Sequence, residues 1–511
     1  MILLQNGTVI DGTGGAAQAV AVLIEGSKVK EVGQITPTPD MEVIDCTGLT
    51  ICPGFIDVHS HADLEILQHR SEKVRQGVTS EVVGNCGFSL FPTLPREGLS
   101  PTFNIFEARG EKEWADAGAY FADVEAARSY TNVAALTGHS TLRAHVSGVK
   151  AGKLDAAQQQ RAEAALARCL EQGSIGLSTG LNEAPGGYGD IDELVVLCAV
   201  VRQYGAFYTS HLRDYKFHFV EAVEEALEIG RRADVAVQLS HLQAAGRKNW
   251  DKMDPVLELI DRAVAEGVDV GVDAYPYVAG SCNITQLLPL WCMEGGAGGL
   301  LERLADAELR PRIAAETEED MSNDWKDILI AAVEGKDELV GKTVQDVADE
   351  RGIAGAQAAI DLLLENKGVV TIVSFNQSDE NLRKVLTHPC TSIITDGLVT
   401  QGKPHPRTFG TYVKFLGEYV RDKGWLSLEE GVRKSTGLPA QRFGLEGRGV
   451  VAAGNWADLV VFSAEQIGTK ATYEEPDLPP EGIQHVFVNG EWVLRQGALQ
   501  EELAGQPLRN G

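Results

Sequence analysis

No run of 18 or more consecutive apolar residues occurs in the chain, so no membrane span is expected. The opening stretch, MILLQNGTVIDGTGG, lacks a basic n-region, an apolar h-region and a small-residue cleavage site. It reads as a strand entering a Gly-rich turn, and a cytoplasmic location is the simplest expectation. Basic residues are scarce: 45 Lys and Arg face 73 Asp and Glu, for a net charge of −28. Counterion-release binding to nucleic acid needs the opposite sign, so that class of partner is excluded. The acidic balance favours solubility and says little about a substrate. The eight cysteines contain no CxxC pair and suggest no disulfide framework. Most are expected as small buried hydrophobes, with Cys86 set apart. Internal repeats and low-complexity tracts are also lacking. What remains is an ordinary globular balance, 44% hydrophobic and 23% charged, over 511 residues. That length suffices for one large domain and a smaller one.

Both ends of the chain are strand-rich. ILLQNGTVI, AVAVLIEGSKVKEVG and MEVIDCTGL near the start, and VVAAGNWADLVVFS and IQHVFVNGEWVLRQGAL near the end, show turn residues and no helical period. They predict one small β-sandwich domain assembled from residues 1–54 and 443–511. The middle alternates. Short apolar segments (TNVAALTG, GSIGLST, AFYTSH, VAVQLSH, DVGVDAY, TIVS, TSIITD) are interleaved with helix-like runs such as AAQQQRAEAALARCLEQG and FVEAVEEALEIGRRA. Near-continuous apolar strands between helices imply a parallel sheet. About eight units fit between roughly 54 and 400, the number that closes a (β/α)8 TIM-like barrel, assigned to residues 55–442. An open doubly wound sheet is the alternative, but no GxGxxG follows its first strand. Residues 282–343 are too long for an ordinary loop and lack clear strands, so they read as a helical insertion near the barrel mouth. The Gly-rich stretches near 187 and 296 have hinge composition, which would suit a lid.

Several strand ends carry residues able to hold a metal or move a proton. His59 and His61 follow GFIDV, two residues apart, a spacing that faces both the same way from a strand. Cys86 follows SEVVGN, His139 follows VAALTG, His211 follows FYTS, His241 follows VQLS and Asp396 follows SIIT. Taken singly, each has an ordinary explanation: a structural hydrogen bond, a helix N-cap, core filling. Together, four separate histidine-bearing strand ends, a thiol and a carboxylate draw heavily on a chain with 11 histidines. Imidazole with thiolate suits zinc better than magnesium or calcium.

The stretches PGFIDVHSHADL, GVTSEVVGNCGFSLFP, TGHSTLR, GSIGLSTGL, YTSHLRD, AYPYVAGS, TDGLVTQGKPHPRTFGTYVKFLGEYV and LPAQRFGL…GNWADLVVF run in order over nearly the whole chain. They resemble the amidohydrolase superfamily, and within it the N-acyl-D-amino-acid deacylase (D-aminoacylase) branch. The resemblance implies a metal-dependent hydrolase barrel. It implies a tightly bound Zn2+ on His211, His241 and Cys86, with His59, His61 and Asp396 framing a second, weaker position that Cys86 can bridge. It gives Asp396 the role of general base and acid in hydrolysis of a small acylated amino acid, while leaving open whether the chain forms a homo-oligomer. At the substrate end it points to Arg407 and to Tyr275 or Tyr277. His139 and Arg143 are further candidates. Arg143 and Arg213 each follow a strand-end histidine closely, and could equally pin a loop.

The chain departs from the family pattern twice. Gln243 stands where a lysine is common, and Glu183 where a tyrosine is common. A cation is lost and an anion is gained near the substrate. Two other readings stay open: a cyclic amide hydrolase of hydantoinase or dihydroorotase type, and a scaffold without catalysis. Gln243→Lys is expected to raise turnover of N-acetyl-D-amino acids if the carboxylate pocket is otherwise intact, as read from kcat/KM. No change would mean that the substrate is held differently.

Overall fold

The computed structural model describes residues 1–95, 98–398 and 402–510. Its architecture is α/β, and its central strands are parallel. Phe55–Asp57 pairs with Val78–Val83, which pairs with Asn132–Ala135. That third strand continues as Thr137–Gly138 and pairs with Gly176–Gly180, followed in space by Phe207–His211, Val237–Leu239, Val270–Ala274 and Thr391–Ile393. Nearly every residue in these strands is buried, as expected of parallel strands covered by helices.

The intervening helices show why these segments coil. Ala156–Glu171 begins at Asp155, whose side chain accepts from the Gln158 N–H while Gln158 reaches back to the Asp155 N–H. Phe219–Ala233 buries Phe219, Ala222, Val223, Ala226, Leu227, Gly230 and Ala233, a helical stripe laid on the strands.

The two outermost strands of this series are tied to each other. The Asp396 N–H donates to the His59 carbonyl at 2.9 Å, the His61 N–H donates to the Gly397 carbonyl at 3.1 Å, and Ser60 bridges Gly397 in parallel. Beneath them the buried Tyr412 hydroxyl lies 2.9 Å from the carbonyls of both Ile56 and Ile393. The Lys73 ammonium sits between Asp57 and Thr395, bonding both, and donates to Ser60 Oγ at 3.1 Å.

Two further groups of strands stand apart. Residues from both termini form the sheet Thr8–Val9, Thr50–Pro53, Leu459–Phe462, Ile483–Val488, Glu491–Arg495 and Ala498–Leu499. It shares an apolar cluster, including Leu4, Val22, Ile51, Val461 and Phe487, with a sheet of four strands between Ile2 and Asp45. The third group corrects an expectation. TIVS, expected among the parallel strands, is Thr371–Ser374, the middle strand of an antiparallel sheet with Gly280–Asn283 and Ile328–Ala332. The stretch expected to lack strands therefore contains Ile328–Ala332 and the end of Gly280–Asn283. A short apolar run has no period long enough to tell which sheet it joins. This sheet and four helices (Gly296–Ala305, Arg310–Asp320, Val344–Arg351, Gly355–Glu365) pack around Leu300, Ile313, Ile330, Ile360 and Ile372.

The Gly-rich stretches are also packed rather than open. The Tyr188 hydroxyl donates to the Leu290 carbonyl at 3.1 Å, and a Cβ on Gly296 would sit 2.3 Å from the Gly98 carbonyl. All eight cysteines are free. Among the described residues no helix is long and apolar enough to cross a membrane.

Tyr412→Phe deprives two buried carbonyls of their shared donor. The expected loss is about 1–3 kcal/mol, read as a lower unfolding midpoint with unchanged far-UV circular dichroism.

Candidate metal centre

The polar strand ends converge. His59 and His61 lie just beyond Phe55–Asp57, with ring centroids 5.4 Å apart. Both face one carboxylate: Asp396 Oδ1 is 3.2 Å from His61 Nε2 and 3.6 Å from His59 Nε2. Cys86 Sγ lies 3.2 Å from His59 Nε2 and 3.4 Å from His241 Nε2. His211 packs edge-on to His241, with ring centroids 4.6 Å apart. Among the described residues, two groups have ligand atoms within 4.8 Å of one another: His59, Cys86 and His241, and His59, His61 and Asp396. His59 thus belongs to both groups, whereas the resemblance puts Cys86 at the junction.

Backbone shape is what aims these side chains. Cys86, His241 and Asp396 all sit at positive φ, at 52°, 33° and 46°. Such conformations cost of order 1–3 kcal/mol each, less for Asp, and persist when the surroundings hold them. The Asp396 N–H is held by the His59 carbonyl and the His241 N–H by Asp273 Oδ1 at 2.6 Å. Around Cys86 the glycines of GNCG do the work. Gly84 and Gly87 also have positive φ, and a Cβ on Gly84 would lie 2.2 Å from the Leu136 carbonyl. The loop passes too close to the neighbouring strand for any side chain there.

The electrostatics show what the site needs. Burial alone would raise the Cys86 thiol, but His59, His211 and His241 hold it well below the ordinary thiol value. Burial would likewise raise Asp396, yet Arg407, then His61, His59 and His241, keep it well below the usual carboxylate range. The two anions pull protons onto their neighbours. Against burial, Cys86 and Asp273 push His59 well up, and Asp396 and Cys86 push His61 up to about 9. The cluster therefore demands positive charge at its centre. Buried His211 Nε2, which has no hydrogen-bond partner among the described residues, points the same way.

The centre opens onto a cavity of about 640 Å³, of ordinary size for a small-molecule site. His61, Cys86, His211, His241 and Asp396 line it, with Gln243, Tyr275, Glu183 and Arg407. Arg407 Nη1 is 2.8 Å from Asp396 Oδ2 and Nη2 donates to the Ser281 carbonyl at 3.2 Å, while its guanidinium stacks 4.7 Å from the Tyr275 ring centre. The Tyr275 hydroxyl bonds Gln243 Oε1 at 3.3 Å. Val399, Thr400 and Gln401 of the TDGLVTQGKPHPR stretch lie outside the described residues.

Three expected substrate residues are not brought to this cavity. His139 and Arg143 both bond the buried Glu193 carboxylate, which balances their charge away from the cavity. The buried Tyr277 hydroxyl lies 3.4 Å from the Pro406 carbonyl, since a two-residue step in a loop does not keep the side that Tyr275 faces. Arg213 pins a loop, bonding Glu225 and the carbonyls of Gly187 and Gly189.

Sequence reasoning missed Asp273. Besides the His241 N–H, it lies 3.5 Å from His59 Nδ1 and accepts from Gln238 Nε2 at 2.9 Å. A carboxylate behind a metal-ligating imidazole fixes its orientation. Its signal was its position at the end of VGVDA, equivalent to the ends that carry histidine.

Cys86→Ser is expected to weaken metal binding by more than ~100-fold, and Asp273→Asn by about 10–100-fold, since even outer partners have effects of that size. Competition with a chromophoric chelator measures both; unchanged affinity in Cys86→Ser would exclude the thiol as a ligand.

The chain is similar to known proteins over nearly its whole length. Residues 292–494 match the model described as "Amidohydrolase family". An N-acyl-D-glutamate deacylase of Alcaligenes xylosoxydans xylosoxydans is 36% identical, over 97% of this chain and 94% of its own length. A D-aminoacylase of the same organism is 34% identical, over 99% and 97%. The solved structure of an N-acyl-D-glutamate deacylase from Bordetella bronchiseptica, complexed with zinc and a phosphonate inhibitor, is 33% identical, covers 99% of each chain and has a TM-score of 0.87. A D-hydantoinase from Thermus sp., 16% identical with a TM-score of 0.58 over 100% of this chain and 99% of its own, shares the fold. With near full-length identity to the deacylases, the chain belongs to the amidohydrolase superfamily, in its N-acyl-D-amino-acid deacylase (D-aminoacylase) family, and is a hydrolase of linear carbon–nitrogen amide bonds.

Proposed function

We propose that the protein hydrolyses N-acyl-D-amino acids to a carboxylate and a free D-amino acid, with zinc held by His211, His241 and Cys86 and a weaker second position framed by His59, His61 and Asp396. The observation that carries this reading is the buried thiol packed among imidazoles at the wall of a substrate-sized cavity. The donor set fits the metal. Thiolate and imidazole are zinc ligands, whereas magnesium and calcium take oxygen. The depressed thiol and carboxylate leave negative charge that a cation satisfies. A bound zinc supplies Lewis acidity, which lowers the pKa of water and polarises an amide carbonyl.

The remaining work falls to the chain. Asp396 accepts the proton of the attacking water and delivers it to the leaving amide nitrogen, so the proton balance closes within one turnover. Arg407, 2.8 Å from Asp396 Oδ2, keeps that carboxylate ionised and oriented before water attacks. Asp273 holds the backbone of His241 in place. Gln243 and Tyr275 form one polar patch for the amino-acid part of the substrate.

The same reading takes the eight parallel strands as a closed barrel over residues 55–442, supported by the bonds that tie His59 to Asp396 and His61 to Gly397. Residues 1–54 and 443–511 form its β-sandwich companion, supported by the apolar cluster shared by their two sheets.

The test is acyl release by zinc-loaded protein from paired N-acyl-D- and N-acyl-L-amino acids. Turnover confined to D substrates and abolished by a chelator is expected. Ring opening of hydantoins or dihydroorotate without acyl release would overturn the reading. Asp396→Asn is expected to lower kcat by about 10²–10⁴-fold while retaining the tightly bound zinc by metal analysis.

A further inference from the structure

The cavity has an unusual charge balance. Glu65, Glu183, Glu334 and Asp337 line it in addition to Asp396. Among its described lining residues there is no lysine, and the single arginine, Arg407, is already committed to Asp396 and the Ser281 carbonyl. A second anionic group on the substrate, beyond the α-carboxylate of any N-acyl-amino acid, would meet no uncommitted side-chain cation among those residues.

Glu183 makes the balance specific. Its side chain is on the cavity wall, yet the residue is only 8% exposed. One carboxylate oxygen, Oε1, accepts from the Gln286 amide. The other, Oε2, is buried without a hydrogen-bond partner among the described residues. A buried carboxylate oxygen left without a donor is costly, and most buried polar groups are paired. A ligand in the cavity can supply the missing donor. Burial, offset in part by Thr102 and Gln286, pushes the Glu183 carboxyl up to about 6, so it is largely ionised at neutral pH and calls for a cation rather than an acceptor. Glu334 and Asp337 are exposed and extend the negative wall outward. At about 640 Å³ the cavity has room for an acyl group and a long side chain together.

We propose that this wall is a subsite for a cationic group, and that the substrate is an N-acyl-D-amino acid with a basic side chain whose ammonium or guanidinium pairs with the Glu183 carboxylate. This rests on the deacylase reading above and adds the class of amino acid to it. Gln243, neutral at the same cavity, removes a competing positive charge.

The experiment compares kcat/KM of the zinc-loaded enzyme for N-acetyl-D-lysine, N-acetyl-D-arginine, N-acetyl-D-norleucine and N-acetyl-D-glutamate. Norleucine keeps the length of lysine and lacks its charge. The basic substrates are expected to exceed norleucine by at least ~10-fold, with glutamate last. In Glu183→Gln the lysine-to-norleucine ratio falls toward one, mainly through KM, and in Glu183→Asp it is retained in part. Calorimetric binding of the product D-lysine to the zinc-loaded protein weakens in parallel in Glu183→Gln, a readout independent of turnover. Should Glu183→Gln not fold, Gln243→Lys, which adds a cation to the same cavity, lowers the same ratio.

A wild-type ratio at or below one overturns the subsite, and a ratio that survives in Glu183→Gln removes Glu183 from it. Turnover of the norleucine or glutamate substrates without the basic ones sinks the subsite and leaves the deacylase reading standing. Failure to release acyl groups from any of the four overturns both.

Discussion

Everything in the site depends on the burial of a thiol and a carboxylate among imidazoles. Cys86 and Asp396 are both 10% exposed or less, and both are held toward their anionic forms by the histidines and arginine around them. Two buried anions of this kind are unfavourable alone, because desolvation opposes each of them. Positive charge at the centre is the condition under which they are tolerated. The shifts of His59 and His61 toward imidazolium express that same demand in protons.

Holding such a cluster together requires rigidity behind it, and the fold provides it at the junction of its outermost parallel strands. Asp57, two residues before His59, bonds Lys73 and accepts from the Thr395 N–H at 3.0 Å and its hydroxyl at 2.6 Å. Thr395 directly precedes Asp396. The buried Lys73 ammonium therefore clamps the HxH loop to the loop that carries the proposed proton carrier, with Glu81 3.6 Å away as a further counter-charge. Buried ion pairs add little net stability over apolar packing, but they impose one geometry, and removing one partner is strongly destabilising. That is the property a metal site needs from its supports. The left-handed backbone at Cys86, His241 and Asp396 adds to the same picture: local strain is accepted where neighbouring bonds leave no alternative.

Charge organises the cavity in two ways. Arg407 serves Asp396 and so has little left for a substrate carboxylate. On the cavity wall, Glu183 presents one oxygen without a donor beside one that accepts from Gln286, and no described lining residue supplies a cation to meet it. The chemistry and the selectivity are thus separate electrostatic problems. A cluster of imidazoles and a thiol sets the first, and a lone buried carboxylate sets the second.

The sequence by itself determined the parts that depend on local period and residue type. Alternating apolar strands and amphipathic helices announced an α/β fold, and the GFIDVHSHAD, GNCG, SH and TDG strand ends announced the residues that converge. Their chemistry was legible because a histidine or a cysteine keeps its ligand properties wherever the chain puts it. Tertiary structure alone decided partnership. It gave His139 and Arg143 to Glu193, moved TIVS from the parallel strands to an antiparallel sheet, and turned Tyr277 away from the cavity. It also brought in Asp273 and Lys73, whose contacts span 32 and 322 residues of sequence. Side-chain type is a local property, whereas the neighbour that satisfies a charge is chosen by the packing of distant strands, and no spacing rule encodes that choice.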